Sequence, residues 1–386
     1  MSVVSIPASE PCQPAVQETA DQDTAAAPAP RVWLLLDDRP GHVTQVVGLA
    51  EALGWPYERK TLAFTRLNRI SNRLLGASRL SLDTARSAEL APPWPDLVIA
   101  MGRRTAPIAR WVKRRSGGHT RLVQLGRKAA NVADGFDLAV TCTHFQLPDH
   151  PKRLQVLLPP TQVTAARLDA AAARWPDLFD GAARPRVALL VGGTTAHHKL
   201  SAETAGRMAA ALQGFAEGLG GSLTCVTSRR SRAAVEEALR QGAPHAALHC
   251  WRPDQQENPY LGYLAQADVL VVTGESESML AEAAAAAKPL FIYPVPARRR
   301  SLRARFAGWV LAASRRGGGL GGICERLIQG GWVVPPRDLD LMHRGMIEAG
   351  IAQPFAEGGA PKQPAPLPDL SLLAARVRRL VEQSAP

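Results

Sequence analysis

The amino-acid sequence predicts an α/β protein with two tandem domains, each containing a parallel sheet covered by helices. Three observations support this prediction. Short apolar runs alternate with amphipathic stretches along most of the chain, which is the pattern of repeated strand–helix units. The runs are continuously apolar, as expected for strands that are buried on both faces. The pattern also restarts at Arg186 after a proline-marked passage, which indicates a second domain.

The first domain is predicted over residues 31–165. RVWLLLD (31–37) has the composition of a buried strand, and VTQVVGLAEAL (43–53) has the periodicity of a helix that ends at Gly54. The remaining elements follow in order: strands at 96–102, 121–126 and 137–142, with a helix at 104–115 between the first two.

A linker is predicted at 166–185 and the second domain at 186–350. The strands of this domain are predicted at 186–193, 222–228, 246–250, 268–274 and 289–293, and its helices near 201–219, 231–241, 259–266 and 278–287. Residues 351–386 comprise a proline-rich loop and a last helix at 371–383, which we expect to return to the first domain. The two tandem Rossmann-like domains would then face each other across a cleft.

Composition indicates a soluble globular protein, with 46% hydrophobic and 21% charged residues. No apolar stretch reaches the roughly 18 residues of a transmembrane helix. Residues 1–30 carry four acids and no Lys or Arg, and they lack the basic and apolar regions of a secretory signal, so we predict a disordered tail. Five scattered cysteines indicate reduced thiols in a cytoplasmic protein, without disulfides or a zinc site.

The formal net charge of +12 is unevenly distributed, because residues 31–165 hold 20 Lys and Arg against 10 Asp and Glu. Such a field attracts anionic partners, and we expect weak association with the inner face of an anionic membrane. A solvated basic surface is the alternative. For the arginine run at 298–305 a solvated surface is the simpler interpretation, and a phosphate or lipid contact is the other. Aromatic residues make up 5% and interleave with no basic motif, so no nucleic-acid partner is expected.

Ligands of open α/β sheets bind beyond the carboxyl ends of the strands, and the first strand ends in DDRPGH (37–42). A glycine turn at Gly41 before a helix would present backbone amides to an anion. His42, oriented by Asp37 or Asp38, would be a candidate general base. A capped turn with a surface histidine has the same sequence pattern.

Three strand ends of the second domain carry small or polar residues that suit a phosphorylated ligand. The candidate ligand-binding residues are Gly192, Gly193 and Thr194 after one strand, Ser228 and Arg229 after the next, and Thr273, Ser276, Ser278 and Glu282 around the start of a late helix. The glycine turn lacks the GK[ST] ending of a Walker loop. Helix capping by Ser278 is the simpler explanation for the last group.

Two facing domains of this kind resemble the glycosyltransferase-B architecture. In its metal-independent members, amides and basic side chains neutralise a leaving diphosphate, and a glutamate of a late helix holds the ribose. The resemblance implies that Gly192–Thr194 and Arg229 contact the diphosphate of a nucleotide sugar and Glu282 its ribose, that the acceptor lies at His42, and that no metal or other cofactor is needed.

A closer resemblance covers residues 31 to 350. The motifs WLLLDDRPGHVTQVVGLAEALG, LLVGGTT, VTSRRS, NPY and ADVLVVTGESESMLAEA resemble the mitochondrial fission family named for elongated mitochondria. Two functions fit this resemblance. One is sugar transfer without a metal to an envelope-lipid or glycan acceptor. The other is a non-catalytic adaptor that recruits protein partners to a membrane, for which neither His42 nor Glu282 would be needed.

Overall fold

The computed structural model describes residues 29–126, 129–255, 257–367 and 369–383. The tail predicted at 1–30 therefore lies almost wholly outside the described residues. The described chain forms two parallel six-stranded sheets with helices packed against them, which confirms the predicted fold class. Among the described helices, none combines the length and apolar composition needed to cross a bilayer.

The first sheet has the strand order β2-β1-β3-β4-β5-β6. Its elements are β1 (Val32–Leu36), α1 (Pro40–Leu53), β2 (Tyr57–Thr61), α2 (Asn72–Leu75), β3 (Leu97–Met101), α3 (Gly102–Arg115), β4 (Arg121–Leu125), β5 (Leu138–Cys142) and β6 (Arg153–Val156). The central strands β1, β3 and β5 are buried along their whole length, because helices cover both faces of the sheet.

The second sheet has the order β12-β11-β10-β7-β8-β9. Its elements begin with α4 (Ala165–Arg174), β7 (Arg186–Gly193), α5 (Ala202–Gly218), β8 (Ser222–Arg230), α6 (Ala233–Gly242), β9 (Ala247–His249), α7 (Tyr260–Gln266), β10 (Val269–Thr273), α8 (Glu277–Ala285) and β11 (Leu290–Tyr293). The chain continues with α9 (Leu302–Arg316), α10 (Gly318–Gln329), α11 (Leu339–Glu348), β12 (Gln353–Pro354) and α12 (Asp369–Glu382).

The chain returns to the first domain near its end. Val310 of α9 and Ile328 of α10 lie in the same apolar core as Leu34 and Leu49, together with Val377 of α12. Sequence analysis assigned α9 and α10 to the second domain, but their buried stripes pack on the first. The predicted linker at 166–185 also contains α4, whose Leu168 packs in a core of the second domain.

Two helices begin at other residues than predicted. Pro40 lies in the first turn of α1, a position that its fixed φ favours, so Gly41 and His42 belong to the helix and not to a preceding glycine turn. Helix α8 begins at Glu277 with Ser276 at the N-cap position, so Ser278 is not the N-cap residue. Helix α1 therefore begins three residues earlier than predicted, and α8 begins one residue earlier.

Candidate functional site

The carboxyl ends of the two sheets approach each other at the N-terminus of α8. A methyl group added to Gly41 of α1 would lie 3.3 Å from Ser278 Oγ of α8. At the end of β5, the Cys142 thiol donates to Glu277 Oε1 over 3.6 Å. The first turn of α8 therefore lies against the strand ends of the first domain, and it forms one wall of the candidate cleft.

Asp37 and His42 form a hydrogen-bonded pair on the first-domain side. Asp37 is buried directly after β1, and His42 Nδ1 lies 3.0 Å and 2.9 Å from its two carboxylate oxygens. A carboxylate only accepts hydrogen bonds, so Nδ1 of a neutral His42 carries the proton and Nε2 carries the lone pair. This is the orientation in which a histidine can take a proton from a substrate.

Gly102 makes room for the His42 ring. It begins α3 with φ +82°, and a Cβ atom there would lie 2.8 Å from His42 Cε1. A side chain at this position would therefore displace the ring, and the positive φ independently favours glycine. Sequence analysis did not single out Gly102, because nothing local to residues 101–103 shows that His42 packs against it.

Asp38 does not contact His42. Its Oδ1 accepts from Arg104 Nη1 at 2.8 Å, and the side chain is exposed. The sequence left Asp37 and Asp38 as alternative partners of the histidine, and the structure brings only Asp37 to it. Successive residues at the end of a strand point in opposite directions, so one of the pair faces the helix and the other faces solvent.

The two glycines at the end of β7 donate their amides within the protein, and the predicted diphosphate contact of Gly192–Thr194 stays a prediction. The Gly192 amide donates to Thr273 Oγ1 at 2.8 Å, and the Gly193 amide donates to Glu275 Oε1 at 2.6 Å. The Thr194 hydroxyl is paired with the backbone of Leu200. Buried amides need acceptors, and here the end of β10 supplies them.

Close packing explains why these positions are glycines. A Cβ atom on Gly192 would lie 2.2 Å from Glu275 Oε1, and one on Gly193 would lie 2.6 Å from the Arg230 carbonyl oxygen. Gly193 also has φ +119°, which L side chains rarely adopt. The two glycines therefore allow β7, β8 and Glu275 to meet.

Glu275 is a buried acid that sequence analysis did not select. Its Oε1 accepts from the Gly193 amide and the Thr273 hydroxyl, and its Oε2 is buried without a partner among the described residues. Burial raises the pKa of Glu275 to about 6, although these hydrogen bonds and the charge of Arg230 act in the opposite direction. The position of Glu275 shortly after the buried strand β10 was the sequence feature that could have identified it as a candidate site residue.

Arg230 takes the position that the sequence assigned to Arg229. Its Nη2 donates to Ser276 Oγ at 2.9 Å, and burial lowers its pKa. Arg229 and Arg230 are both exposed, and of the two only Arg230 has a hydrogen bond to the start of α8 among the described residues. The Ser228 hydroxyl donates to the Gly192 carbonyl oxygen, so it supports the turn.

Glu282 lies one turn further along α8, half-buried beside Tyr260. Burial raises the pKa of Glu282 to about 7, and the neighbouring Tyr260 hydroxyl acts in the opposite direction. Burial also raises the pKa of Tyr260. The assignment of Glu282 to a ribose stays a prediction. Its raised pKa indicates an acid whose charge is poorly compensated by the neighbouring side chains.

Glu277 joins the two domains through a buried polar cluster. His144, which is fully buried, has Nε2 3.5 Å from Glu277 Oε1, and Arg337 donates to Glu277 Oε2. Burial would raise the pKa of Glu277, but His144, Arg337 and the Cys142 thiol together lower it to about 2.

The same cluster has the spacing of metal ligands, since Cys142, His144 and Glu277 each place one ligand atom within 4.8 Å of the others. Within the described residues it is the one such group. Arg337 already neutralises Glu277, and a guanidinium next to a cation would be repelled. We therefore interpret the cluster as an ion-paired contact between domains.

Two parallel six-stranded sheets that meet through their strand ends define a two-domain α/β protein with the arrangement of the glycosyltransferase-B-like fold class. Within that class, the chain belongs to the family described as Mitochondrial fission ELM1, which matches residues 40–313. This confirms the resemblance that the sequence motifs indicated.

Two relatives are similar to this chain in sequence. Mitochondrial fission protein ELM1 of Arabidopsis thaliana is 25% identical over 221 residues, and the match spans about half of each protein, 51% of this chain and 51% of the relative. Uncharacterized protein RP120 of Rickettsia prowazekii (strain Madrid E) is 23% identical over 303 residues, covering 69% of this chain and 83% of that protein.

Solved structures give weaker similarities. UDP-GlcNAc 2-epimerase of Methanocaldococcus jannaschii aligns with a TM-score of 0.45 and 10% identity, covering 91% of this chain and 99% of that one. MurG of Acinetobacter baumannii aligns with a TM-score of 0.39 and 15% identity, covering 92% and 93%. The fold assignment rests on the strand order and not on these alignments.

Proposed function

We propose that this protein binds a nucleotide sugar in its interdomain cleft and transfers the sugar to an acceptor hydroxyl, with His42 as general base. The observation that carries the proposal is the Asp37–His42 pair opposite the first turn of α8. A histidine held in one tautomer by a buried carboxylate is a recurring general base.

The donor would bind mainly to the second domain. Arg230 and the N-terminus of α8 supply positive charge for a diphosphate, since the first amides of a helix attract anions. Glu282, one turn further along the same helix, would accept hydrogen bonds from the ribose hydroxyls. Because Gly192 and Gly193 already donate to internal acceptors, they would support this site and not contact the diphosphate.

In the reaction, His42 Nε2 takes the proton of the acceptor hydroxyl while the oxygen of that hydroxyl attacks the anomeric carbon of the sugar. The bond between that carbon and the diphosphate oxygen breaks, and the nucleoside diphosphate leaves with the electron pair. Arg230 would neutralise the charge that develops on the leaving group. Asp37 would stabilise the imidazolium that forms at His42.

The acceptor would be anionic. The first domain holds 20 basic against 10 acidic residues over 31–165, a field that concentrates negatively charged molecules near His42. An envelope lipid or a charged glycan at the inner membrane face has the required chemistry.

The direct test is thermal melting of the full chain with a panel of nucleotides and nucleotide sugars. A ligand of the folded state at a hundredfold excess over its dissociation constant stabilises by about 2.7 kcal/mol, so a clear rise in melting temperature is expected for one nucleotide class. His42→Ala should show the same rise, because the base does not hold the donor. A panel with no rise for any member would favour the non-catalytic adaptor.

A further inference from the structure

Two segments distant in sequence expose arginines and large apolar side chains together. Residues 66–82 contain four arginines and residues 298–324 contain seven, and neither segment contains an Asp or Glu. Seven large apolar side chains of the two segments are more than half exposed: Leu74, Leu80, Leu302, Phe306, Trp309, Leu320 and Ile323; Trp332, shortly after the second segment, is 71% exposed. We call the surface formed by these two segments and Trp332 the docking face.

Helix α9 presents an apolar stripe to solvent as well as to the core. Leu302, Phe306 and Trp309 are spaced four and three residues apart, so they lie on one side of the helix, where they are 79%, 55% and 51% exposed. The rings of Phe306 and Trp309 stack with centroids 6.1 Å apart. Ala307 and Leu311 pack inward. A surface helix normally carries polar residues on its outer side, so this stripe indicates a binding surface.

The docking face continues from α9 to α2. Helix α10 packs against α9 and buries Ile328 in the same core, while Ile323 points outward. Trp332 follows α10, is 71% exposed, and lies under the Arg73 guanidinium at 3.9 Å. Arg73 also donates to the Gly330 carbonyl oxygen, which fixes α2 beside the end of α10.

The segment around α2 is held by its backbone, which leaves its apolar side chains outside. Arg103 Nη1 donates to the Ile70 carbonyl oxygen at 2.9 Å, and Arg110 Nη2 donates to the Gly76 carbonyl oxygen at 2.9 Å. Leu75 is the buried residue of α2, whereas Leu74 is 80% exposed. Both arginines belong to α3, so the segment is anchored to the first domain in this outward orientation.

We propose that the docking face binds an anionic lipid bilayer. The docking face combines arginines with exposed Trp, Phe and Leu side chains, and a membrane surface has a charged layer and an apolar layer. The guanidiniums would pair with the headgroup phosphates, and the aromatic rings would enter the boundary between headgroups and acyl chains. The two segments hold 11 arginines, and α10 adds a single exposed acid, Glu325, so the charge balance favours a negatively charged surface over a neutral one.

The docking face also reaches the rim of the candidate cleft. The Arg298 amide donates to the His197 carbonyl oxygen at 2.7 Å, and the Lys199 amide donates to the Pro296 carbonyl oxygen at 3.0 Å, so the start of this face adjoins the loop after β7. This proposal deepens the acceptor side of the proposed function, because a bilayer at the docking face would bring a lipid acceptor towards the cleft. Membrane binding itself requires no nucleotide.

The test is flotation of the full chain with vesicles of phosphatidylcholine, alone or mixed with phosphatidylglycerol, without nucleotide. We expect flotation with the mixed vesicles that decreases as salt is raised, because exposed charges are screened. The double variant F306S/W309S should bind at least about tenfold more weakly, since it removes two aromatic anchors. The matched control is Leu372→Ser, which changes a 66% exposed leucine of α12 outside the docking face and should float like wild type.

Two further measurements keep the outcome decisive. Equal melting temperatures of wild type and F306S/W309S show that the variant is folded, and the wild-type tryptophan emission should shift to the blue on mixed vesicles. Flotation of F306S/W309S at the wild-type level, or no flotation of wild type, overturns the proposal. A wild-type dimer that F306S/W309S dissociates, with neither protein floating, would instead assign the face to contact between copies. Flotation without any nucleotide binding would leave this proposal standing and remove the proposed function.

Discussion

The strand ends of the two domains use their polar residues differently. At the end of the first sheet, Asp37 and His42 pair with each other, and Nε2 of the histidine has no hydrogen-bond partner among the described residues. At the end of the second sheet, the Gly192 and Gly193 amides, Thr273 and Glu275 Oε1 hydrogen-bond with one another in a buried network, and Glu275 Oε2 has no partner among the described residues.

This difference indicates separate tasks for the two sides of the cleft. A side chain with an uncommitted nitrogen is suited to proton transfer, which needs an atom that can change its protonation state. A network whose donors are already used is suited to holding a backbone turn in one geometry. The groups of the second domain that remain for a ligand are therefore side chains at the start of α8, chiefly Arg230, and Glu282 further along.

The sharpest test of the division is His42→Ala. We expect turnover to fall by roughly a hundred- to ten-thousandfold, the usual contribution of a general base, with donor affinity almost unchanged. Asp38→Asn is the matched control and should keep wild-type turnover, because Asp38 pairs with Arg104 at the surface. Steady-state rates of nucleoside diphosphate release would measure both. A wild-type rate for His42→Ala would place the base elsewhere.

On the second-domain side, adjacent arginines offer a paired test. Arg230→Ala should weaken donor binding about ten- to a hundredfold, the effect of losing roughly 1.5–3 kcal/mol of charge-assisted hydrogen bonding, and Glu282→Ala should act similarly. Arg229→Ala should bind the donor like wild type, because among the described residues the hydrogen bond to α8 comes from Arg230 and not from Arg229. Calorimetric titration distinguishes the two arginines, and a larger loss for Arg229→Ala would reverse the assignment.

The smallest expected effect concerns stability against pH. Burial raises the pKa of Glu282 from 4.5 to about 7, so the folded protein holds a proton that the unfolded chain releases. The resulting stability is complete below pH 4.5 and is lost as pH rises through about 7. Glutamine does not titrate, so Glu282→Gln lacks this loss. From about pH 5 to about pH 8, the free energy of unfolding of the variant should therefore decrease by about 1–2 kcal/mol less than that of wild type.

Urea unfolding at the two pH values checks this, with Glu348→Gln, at an exposed position on α11, as the matched control. Burial also raises the pKa of Glu275, to about 6. Because Glu275 is unchanged in Glu282→Gln, this variant should retain part of the pH dependence of stability. An identical pH dependence in wild type and Glu282→Gln would show that Glu282 is well solvated.

Elements with a continuous apolar run were predictable, and elements without one were not. The buried strands β1, β3, β7 and β10 appear in the sequence as apolar runs, because both of their faces contact helices. Strand β2, with the sequence YERKT, lies at a sheet edge and exposes most of its side chains, so no such run marks it. The return of α9 and α10 to the first domain was also not predicted, because a local apolar pattern does not show which domain a helix packs against.

The sequence by itself determined the order of the buried strands, the family, and the strand ends at which polar residues collect, because these depend on the local pattern of apolar and polar residues. The tertiary structure decided which member of each adjacent pair enters the cleft: Asp37 and not Asp38, Arg230 and not Arg229. That choice depends on the direction of each side chain at the end of its strand and on the remote segment it meets there. The need for glycine at position 192 could not be predicted from the local sequence either. A side chain there would collide with the carboxylate of Glu275, which lies 83 residues further along the chain.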